Sequence, residues 1–458
     1  MKKFTVLAMA ACLAFALAVP AMAVDVDFSG YYRVRGFYNS NVTLNDNTSE
    51  SEAYYDNRFR LQTVFKATDN LSVTMRFDVF DDDVWGDPDN LNGNNADEES
   101  IDFDRVYMTA MTDVGMFIIG HQQAGVWGLD VFNDDYNDDR IKYVGRSGPI
   151  TFGGIIQKTI EEDSNNAWDS PDLEDGADGD QDVYYAFGIF KQDAIEGGLL
   201  AVYAKDKTDN NPYVTLFDGS GWTNGASATK IALQPYFNVA MGPMSVKGEA
   251  MWETGDIEYD DRFGDGIIVS DTDISALSYA LEGDFNLDMA RLYVGWVSVS
   301  GQDQGDQPNR TNSALPYGGG ELTLGNTTYG GLGDDYNPFA ILTDDLGGKI
   351  LNSGTGMERG VDMWYLGADV TVNDNLTVNA IFGQACANEE WTGDVDDEYG
   401  MEMDIGMTYK IMDNLEYSAT LAYLMTGDLG GQLAGARTAT ADYTDDNFGF
   451  MHQIKASF

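Results

Sequence analysis

Hydrophobic and polar residues alternate with a period of two along most of this chain. In "LSVTMRFDVF", Leu71, Val73, Met75, Phe77 and Val79 fall on one face, and Ser72, Thr74, Arg76 and Asp78 on the other. "LTVNAIFG" repeats this with Leu376, Val378, Ala380 and Phe382 against Thr377 and Asn379. In "MEMDIGMTYKI", Met403, Ile405, Met407, Tyr409 and Ile411 oppose Glu402, Asp404, Thr408 and Lys410. "LEYSATLAY" sets Leu415, Tyr417, Ala419, Leu421 and Tyr423 against Glu416, Ser418 and Thr420. The closing stretch, "NFGFMHQIKASF", puts Phe448, Phe450, His452, Ile454, Ala456 and Phe458 on one side. This period belongs to β-strands whose two faces meet different surroundings.

The strands come in pairs joined by tight turns. The turn sequences are "ATDN" before Leu71, "MTDVG" at 111–115, "GRSGP" at 145–149, "KQDAIEGG" at 191–198, "AMGPM" at 240–244, "NLD" at 286–288, "NDN" at 373–375 and "MDN" at 412–414. Asn, Asp, Gly and Pro serve the special backbone angles of such turns. Between the pairs lie nine longer segments, at 39–52, 81–100, 121–139, 159–182, 206–228, 254–272, 300–359, 385–398 and 425–446, rich in Asp, Glu, Asn and Gly. Eight short and nine long connections predict 18 strands, with 16 left open because pattern-based boundaries are soft. The stretch "GELTLGNTTYGG" within 300–359 could add a hairpin.

Composition narrows the class. The start, "MKKFTVLAMAACLAFALAVPAMA", has Lys2 and Lys3, an apolar run and Ala21-Met22-Ala23, which together read as a signal peptide over residues 1–23. The mature chain is then 24–458, a single domain holding one cysteine, Cys386, and so no intrachain disulfide. The whole chain has 26 Lys and Arg against 76 Asp and Glu, a formal charge of −50. Such a balance excludes nucleic acid as a partner, because phosphate is repelled. Aromatics at 12% and hydrophobics at 43% are too abundant for a disordered chain. After the leader no apolar run is long enough for a membrane helix.

A soluble β-sandwich also alternates. Three features favour a membrane instead. The apolar faces stay apolar for about ten residues, the length that crosses a bilayer at a tilt. Aromatics gather where those faces end, as Tyr32, Tyr38, Trp252, Tyr279, Trp296, Trp364 and Tyr423. The polar faces carry full charges in mid-strand, which a packed core rejects and a wet lumen accepts. An open sheet in lipid would leave its edges unpaired, so the sheet should close. The expected fold is all-β: a closed antiparallel transmembrane barrel of about 18 strands, with short periplasmic turns and long acidic external loops. The last strand should pair with the first, near "DFSGYYRVRGFY", leaving Phe458 on the lipid face.

The sequence resembles the Gram-negative outer-membrane porins. The resemblance rests on the export signal, the "GYYRVRG" first strand, the "RVYMTAMTDVGMFIIGHQ" and "EYGMEMDIGMTYKIMDNLEYSATLAY" hairpins, and the C-terminal aromatic. It implies a homotrimer of 16- or 18-stranded barrels in the outer membrane, in contact with lipid and lipopolysaccharide. It also implies a third external loop folded into the pore, and a role for Phe458 as an assembly signal. The implied function is passive diffusion of small hydrophilic solutes and ions.

Strand parity turns Arg33, Arg35, Arg58, Arg60, Lys66, Arg76 and Arg105 inward, as a basic wall contributed by four consecutive strands. The third long segment, "GHQQAGVWGLDVFNDDYNDD", falls where the resemblance puts the constriction loop. It offers Asp130, Asp134, Asp135, Asp138 and Asp139 as an acidic side, with Trp127, Phe132 and Tyr136 to pack it against the barrel. Acid facing base across a narrow bore would make a transverse field that selects small dipolar solutes. The acidic exterior attracts cations and the arginines oppose this; the expectation leans to cations.

No cofactor is expected. Asp178, Asp180 and Asp182 alternate as in some calcium loops, so divalent cations could bridge the acidic loops to lipopolysaccharide. A barrel enzyme needs a nucleophile and a base, yet the only histidines are His121 and His452, and no G-x-S-x-G is present. The remaining alternative is a substrate-selective barrel with an inward-folded segment, for which 300–359, with "GDDYNPFAILTDDLGG", is long enough.

Overall fold

A computed structural model of the chain describes residues 25–48, 50–86, 101–133, 135–161, 180–207, 226–259, 272–303, 310–311, 332, 336–343, 346, 351, 359–438 and 440–458. The signal peptide, Asp134, Asp178 and the "GELTLGNTTYGG" stretch lie outside these residues.

Eighteen long strands form one sheet. They are β1 (Asp25–Asn39), β2 (Glu52–Thr68), β3 (Leu71–Val84), β4 (Ile101–Thr112), β5 (Gly115–Ala124) and β6 (Tyr136–Ser147). Next come β7 (Ile150–Ile160), β8 (Gln181–Gln192), β9 (Ile195–Asp206), β10 (Ala226–Met241), β11 (Met244–Tyr259) and β12 (Thr272–Asn286). The rest are β13 (Ala290–Val299), β14 (Val361–Asn373), β15 (Leu376–Cys386), β16 (Glu398–Met412), β17 (Leu415–Thr426) and β18 (Asn447–Ser457). All eight tight turns fall between the strands that the sequence pairs. A two-residue strand, Arg310–Thr311, adds to β12, and one short helix, α1 (Asp428–Leu433), sits in the last long connection.

Each long strand runs antiparallel to its neighbour, and β18 pairs with both β17 and β1. The seam runs from Tyr31 opposite Ser457 to Asn39 opposite Gly449. At its end the N–H of Gly30 donates to the Phe458 carbonyl and the Phe458 N–H to the Gly30 carbonyl, both at 3.0 Å. The Phe458 ring is exposed and stacks on Phe59 with centroids 6.0 Å apart. The sheet therefore has no free edge, as lipid requires.

The outer surface is a belt of exposed Leu, Ile, Val, Phe and Met side chains, including Leu277, Leu281, Leu366, Met403 and Ile405. Tyr32, Tyr38, Trp252, Tyr279, Trp296 and Tyr423 are exposed with it. Left in water, so continuous an apolar surface would drive association; a bilayer removes that cost. No helix among the described residues is long and apolar enough to cross a membrane, and the crossing is made by strands.

Candidate functional site

The inner wall of β1–β4 carries the arginines that parity turns inward. They are not bare. Arg33 meets Asp82 at 2.6 Å, Arg35 meets Asp56 at 2.5 Å and Asp82 at 3.1 Å, and Arg58 meets Asp82 at 2.6 Å and also pairs with Asp81. Arg60 meets Asp78 at 2.6 Å and Asp104 at 3.6 Å, while Arg76 pairs with Asp104. Arg105 reaches Asp135 at 3.2 Å and the Asn137 amide oxygen at 2.5 Å. Lys66 stands apart near the short-turn end, half exposed, with Asp27 and Asp25.

This corrects the expected arrangement. The carboxylates facing the arginines come mainly from the same strands, not from a loop across the bore. Asp56 and Asp78 hold regular inward positions, and two irregularities add Asp81, Asp82 and Asp104. Between Arg76 and Phe77 the β3–β4 register shifts, so Arg76 pairs with Arg105 and Phe77 with Phe103. Asp104 is the extra residue, and both it and Arg105 serve the inner wall. Between β2 and β3 the register runs from Asn57–Asp83 to Phe59–Val79, leaving Phe80, Asp81 and Asp82 opposite the single residue Arg58. Strict alternation hides both bulges. Asp56 and Asp78 share the parity of the inward arginines on their own strands, so the sequence displays both.

The third long connection is shorter than its composition suggests. His121 pairs with Asp139, Gln122 with Asp138 and Ala124 with Tyr136, so Tyr136, Asp138 and Asp139 belong to β6 and not to a loop. Above the lipid belt both faces of a strand meet water, and alternation stops marking the strand there. Asp138 is buried inward, accepting from Gln157 and Thr159 at 2.7 Å each. Asp139 is on the outer face, 3.1 Å from His121.

The loop that remains, 125–135, folds inward. Phe132, Val131 and Trp127 are buried. The Trp127 indole donates to the Gln234 carbonyl at 2.9 Å and its ring stands edge-on to Tyr236 at 5.4 Å. The Leu129 N–H donates to Glu249 at 2.5 Å. These contacts carry the loop from β5 and β6 to the inner face of β10 and β11. Asp130, expected on the acidic side, instead accepts the Trp127 N–H at 3.2 Å within its own turn. Asp135 alone of the described loop acids meets an arginine of the wall.

A second segment also lies inside. Phe339, Ile341 and Leu342 are fully buried. The Ile341 and Leu342 N–H groups donate to the Glu402 carboxylate at 2.8 and 2.7 Å, and the Ala340 N–H to Asp404 at 3.0 Å. Tyr336 and Tyr365 share a hydroxyl contact at 2.8 Å, and Tyr365 donates to Glu282 at 2.7 Å. Leu346 accepts from Asn39 of β1 at 2.9 Å. Sequence reasoning allowed 300–359 to enter the bore and did not name Glu402 and Asp404 as its anchors. Their signal was two acids on the inward parity of one strand.

Between the first inward loop and the wall of β4–β9 is a cavity of about 270 Å³, lined by Arg105, Gln122, Trp127, Arg140, Lys142 and Tyr185 among others. The Arg140 guanidinium stands 5.0 Å from the Tyr185 ring centre. On the outer rim, Lys158 occupies the position expected for a cation: it pairs with Asp180, and lies 3.2 Å from Asp182 and 3.1 Å from Glu161. Among the described residues no group of three or more His, Cys, Asp and Glu side chains is set to hold a metal ion.

No protein-family model matches the chain, and no curated protein matches it in sequence. Solved structures do match in shape. OpdQ of Pseudomonas aeruginosa aligns at a TM-score of 0.51 and 13% identity, over 95% of this chain and 98% of that one. A doubly substituted OccD1 (OprD) aligns at 0.51 and 10%, over 94% and 95%. A BenF-like porin from Pseudomonas fluorescens Pf-5 gives 0.49 and 11%, over 94% and 99%. The likeness to the first two extends along the whole barrel and is one of fold: a closed 18-stranded barrel of the outer-membrane porin type.

Proposed function

We propose that the chain forms a water-filled channel in the outer membrane, through which small hydrophilic solutes and ions diffuse passively, cations ahead of anions. The observation that carries this reading is the inner wall. Arg33, Arg35, Arg58, Arg60, Arg76 and Arg105 face Asp56, Asp78, Asp81, Asp82, Asp104 and Asp135, and so many ionised groups on one face fit a wet bore and no dry core. These twelve side chains cancel in formal charge. Selectivity then falls to the rest of a chain with 76 acidic and 26 basic residues, which favours cations at the approach.

The two inward segments favour a narrower second reading, a channel that selects its solute. In both readings the belt contacts lipid and lipopolysaccharide, and the barrels assemble as a homotrimer. Planar-bilayer recording in asymmetric salt tests these points together. The expected record is a steady ohmic current that closes in three steps, with a reversal potential on the cation side. A saturable solute block would favour the selective reading. A film that stays insulating after insertion would rule out both.

A further inference from the structure

The inner wall holds an electrostatic conflict that regular pairing does not resolve. Lys455 of β18, Arg33 of β1 and Arg58 of β2 occupy directly opposed positions on three adjacent strands. Like charges so placed are destabilising. Glu416 stands beyond Lys455 at one end of the row. At the other end, where β3 should supply one residue opposite Arg58, the strand bulges and supplies three.

The bulge is strained. Phe80 and Asp82 have φ of 53° and 63°, a region that bulky L-residues rarely enter. Such strain persists where surrounding contacts overdetermine it. The contact in question is Asp82. Its carboxylate takes Arg33 at 2.6 and 2.8 Å, Arg58 at 2.6 Å and Arg35 at 3.1 Å. It is the one carboxylate within ion-pair distance of Arg33 among the described residues. The Nε atoms of Arg33 and Arg58 have no hydrogen-bond partner, so both guanidiniums are held through their outer nitrogens alone.

We propose that Asp82 is a selectivity-determining residue: the bulge inserts its carboxylate into a row of cations and so hides the Arg33 guanidinium from small anionic solutes. This rests on the channel reading above. With Asp82 ionised, Arg33 is matched. With Asp82 neutral, Arg35 keeps Asp56 and Arg58 keeps Asp81, while Arg33 faces the lumen with unmatched charge and recruits anions.

The test is the reversal potential of the full chain in planar bilayers under a potassium chloride gradient. D82N keeps the side-chain shape and should raise the chloride-to-potassium permeability ratio severalfold. R33Q should move the ratio the other way, and D82N/R33Q should return it towards the wild type. A conducting D82N barrel with the wild-type ratio overturns the proposal. If D82N does not fold, as read by resistance to unfolding in detergent without heating, R33Q decides: an unchanged ratio overturns the proposal. Wild-type protein that inserts and passes no current fails differently, because it removes the channel reading itself.

Discussion

The Leu129 N–H donates to the Glu249 carboxylate at 2.5 Å, so a loop rooted in β5 and β6 is tied to β11. The same carboxylate accepts the Gln234 amide at 2.6 Å, which fixes its orientation. A hydrogen bond of this kind contributes about 0.5–1.5 kcal/mol. Removing the acceptor in Glu249→Ala should free the loop tip and widen the bore. Single-channel conductance should rise and the open current become noisier, with Glu249→Gln in between. Conductance equal to the wild type in both variants would show that another contact holds the loop.

The Tyr365 ring lies over Gly295 on the neighbouring strand, and a Cβ at Gly295 would collide with it. Displacing that ring also disturbs the bonds from Tyr365 to Glu282 and Tyr336. Gly295→Val should therefore cost about 1–3 kcal/mol, the usual range for overpacking. Gly283, in the next strand of the same sheet, would meet nothing within 4 Å. Thermal unfolding in detergent should show a marked drop for Gly295→Val and little change for Gly283→Val. Equal drops would mean that general strand propensity, and not the ring, sets the cost.

The barrel was legible in the sequence because lipid and water impose opposite demands on alternate residues. Where that contrast ends, legibility ends with it. Asp138 and Asp139 sit on a strand that has left the lipid belt, so composition alone read them as loop. Asp104, Asp81 and Asp82 owe their positions to bulges, which alternation cannot register. Glu249 and Glu402 hold segments more than 50 residues away in the chain, through backbone N–H groups that leave no side-chain signature. The inward parity of the arginines was therefore legible, and that of the acids paired with them mostly was not.

At the outer end of the seam the first and last long connections touch. Asn45 bridges Thr444, the Asp46 N–H donates to the Tyr443 carbonyl at 2.9 Å, and the Asp445 N–H to the Leu44 carbonyl at 3.1 Å. Burial pushes the Asp445 carboxyl up; the Asp446 N–H pulls against this, and the Asp46 carboxylate adds to the rise. A carboxyl raised on folding favours the folded junction below its ordinary pKa of about 3.9, and that support is lost as pH climbs through the raised value. Hydrogen exchange at 44–46 and 443–445, corrected for intrinsic rates, should show more protection near pH ~4 than at pH ~7. Asp445→Asn should abolish the difference. The same pH response in the variant would assign it to another group.

Phe458 closes the sheet in two separable ways: its backbone makes two hydrogen bonds with Gly30, and its ring stacks on Phe59. The ring is worth about 0.5–1.5 kcal/mol as an aromatic pair. The backbone bonds add about 1 kcal/mol each, and more where lipid offers no substitute partner. Phe458→Ala keeps the bonds and loses the ring; deleting Phe458 loses both. If the residue guides assembly through closure of the seam, the yield of barrel that resists detergent unfolding should fall from wild type to Phe458→Ala and further on deletion. Refolding rates should fall in the same order, because the β1–β18 pairing joins the most distant parts of the chain. A deletion that refolds as fast and as fully as the wild type would leave the terminal aromatic with no part in closure.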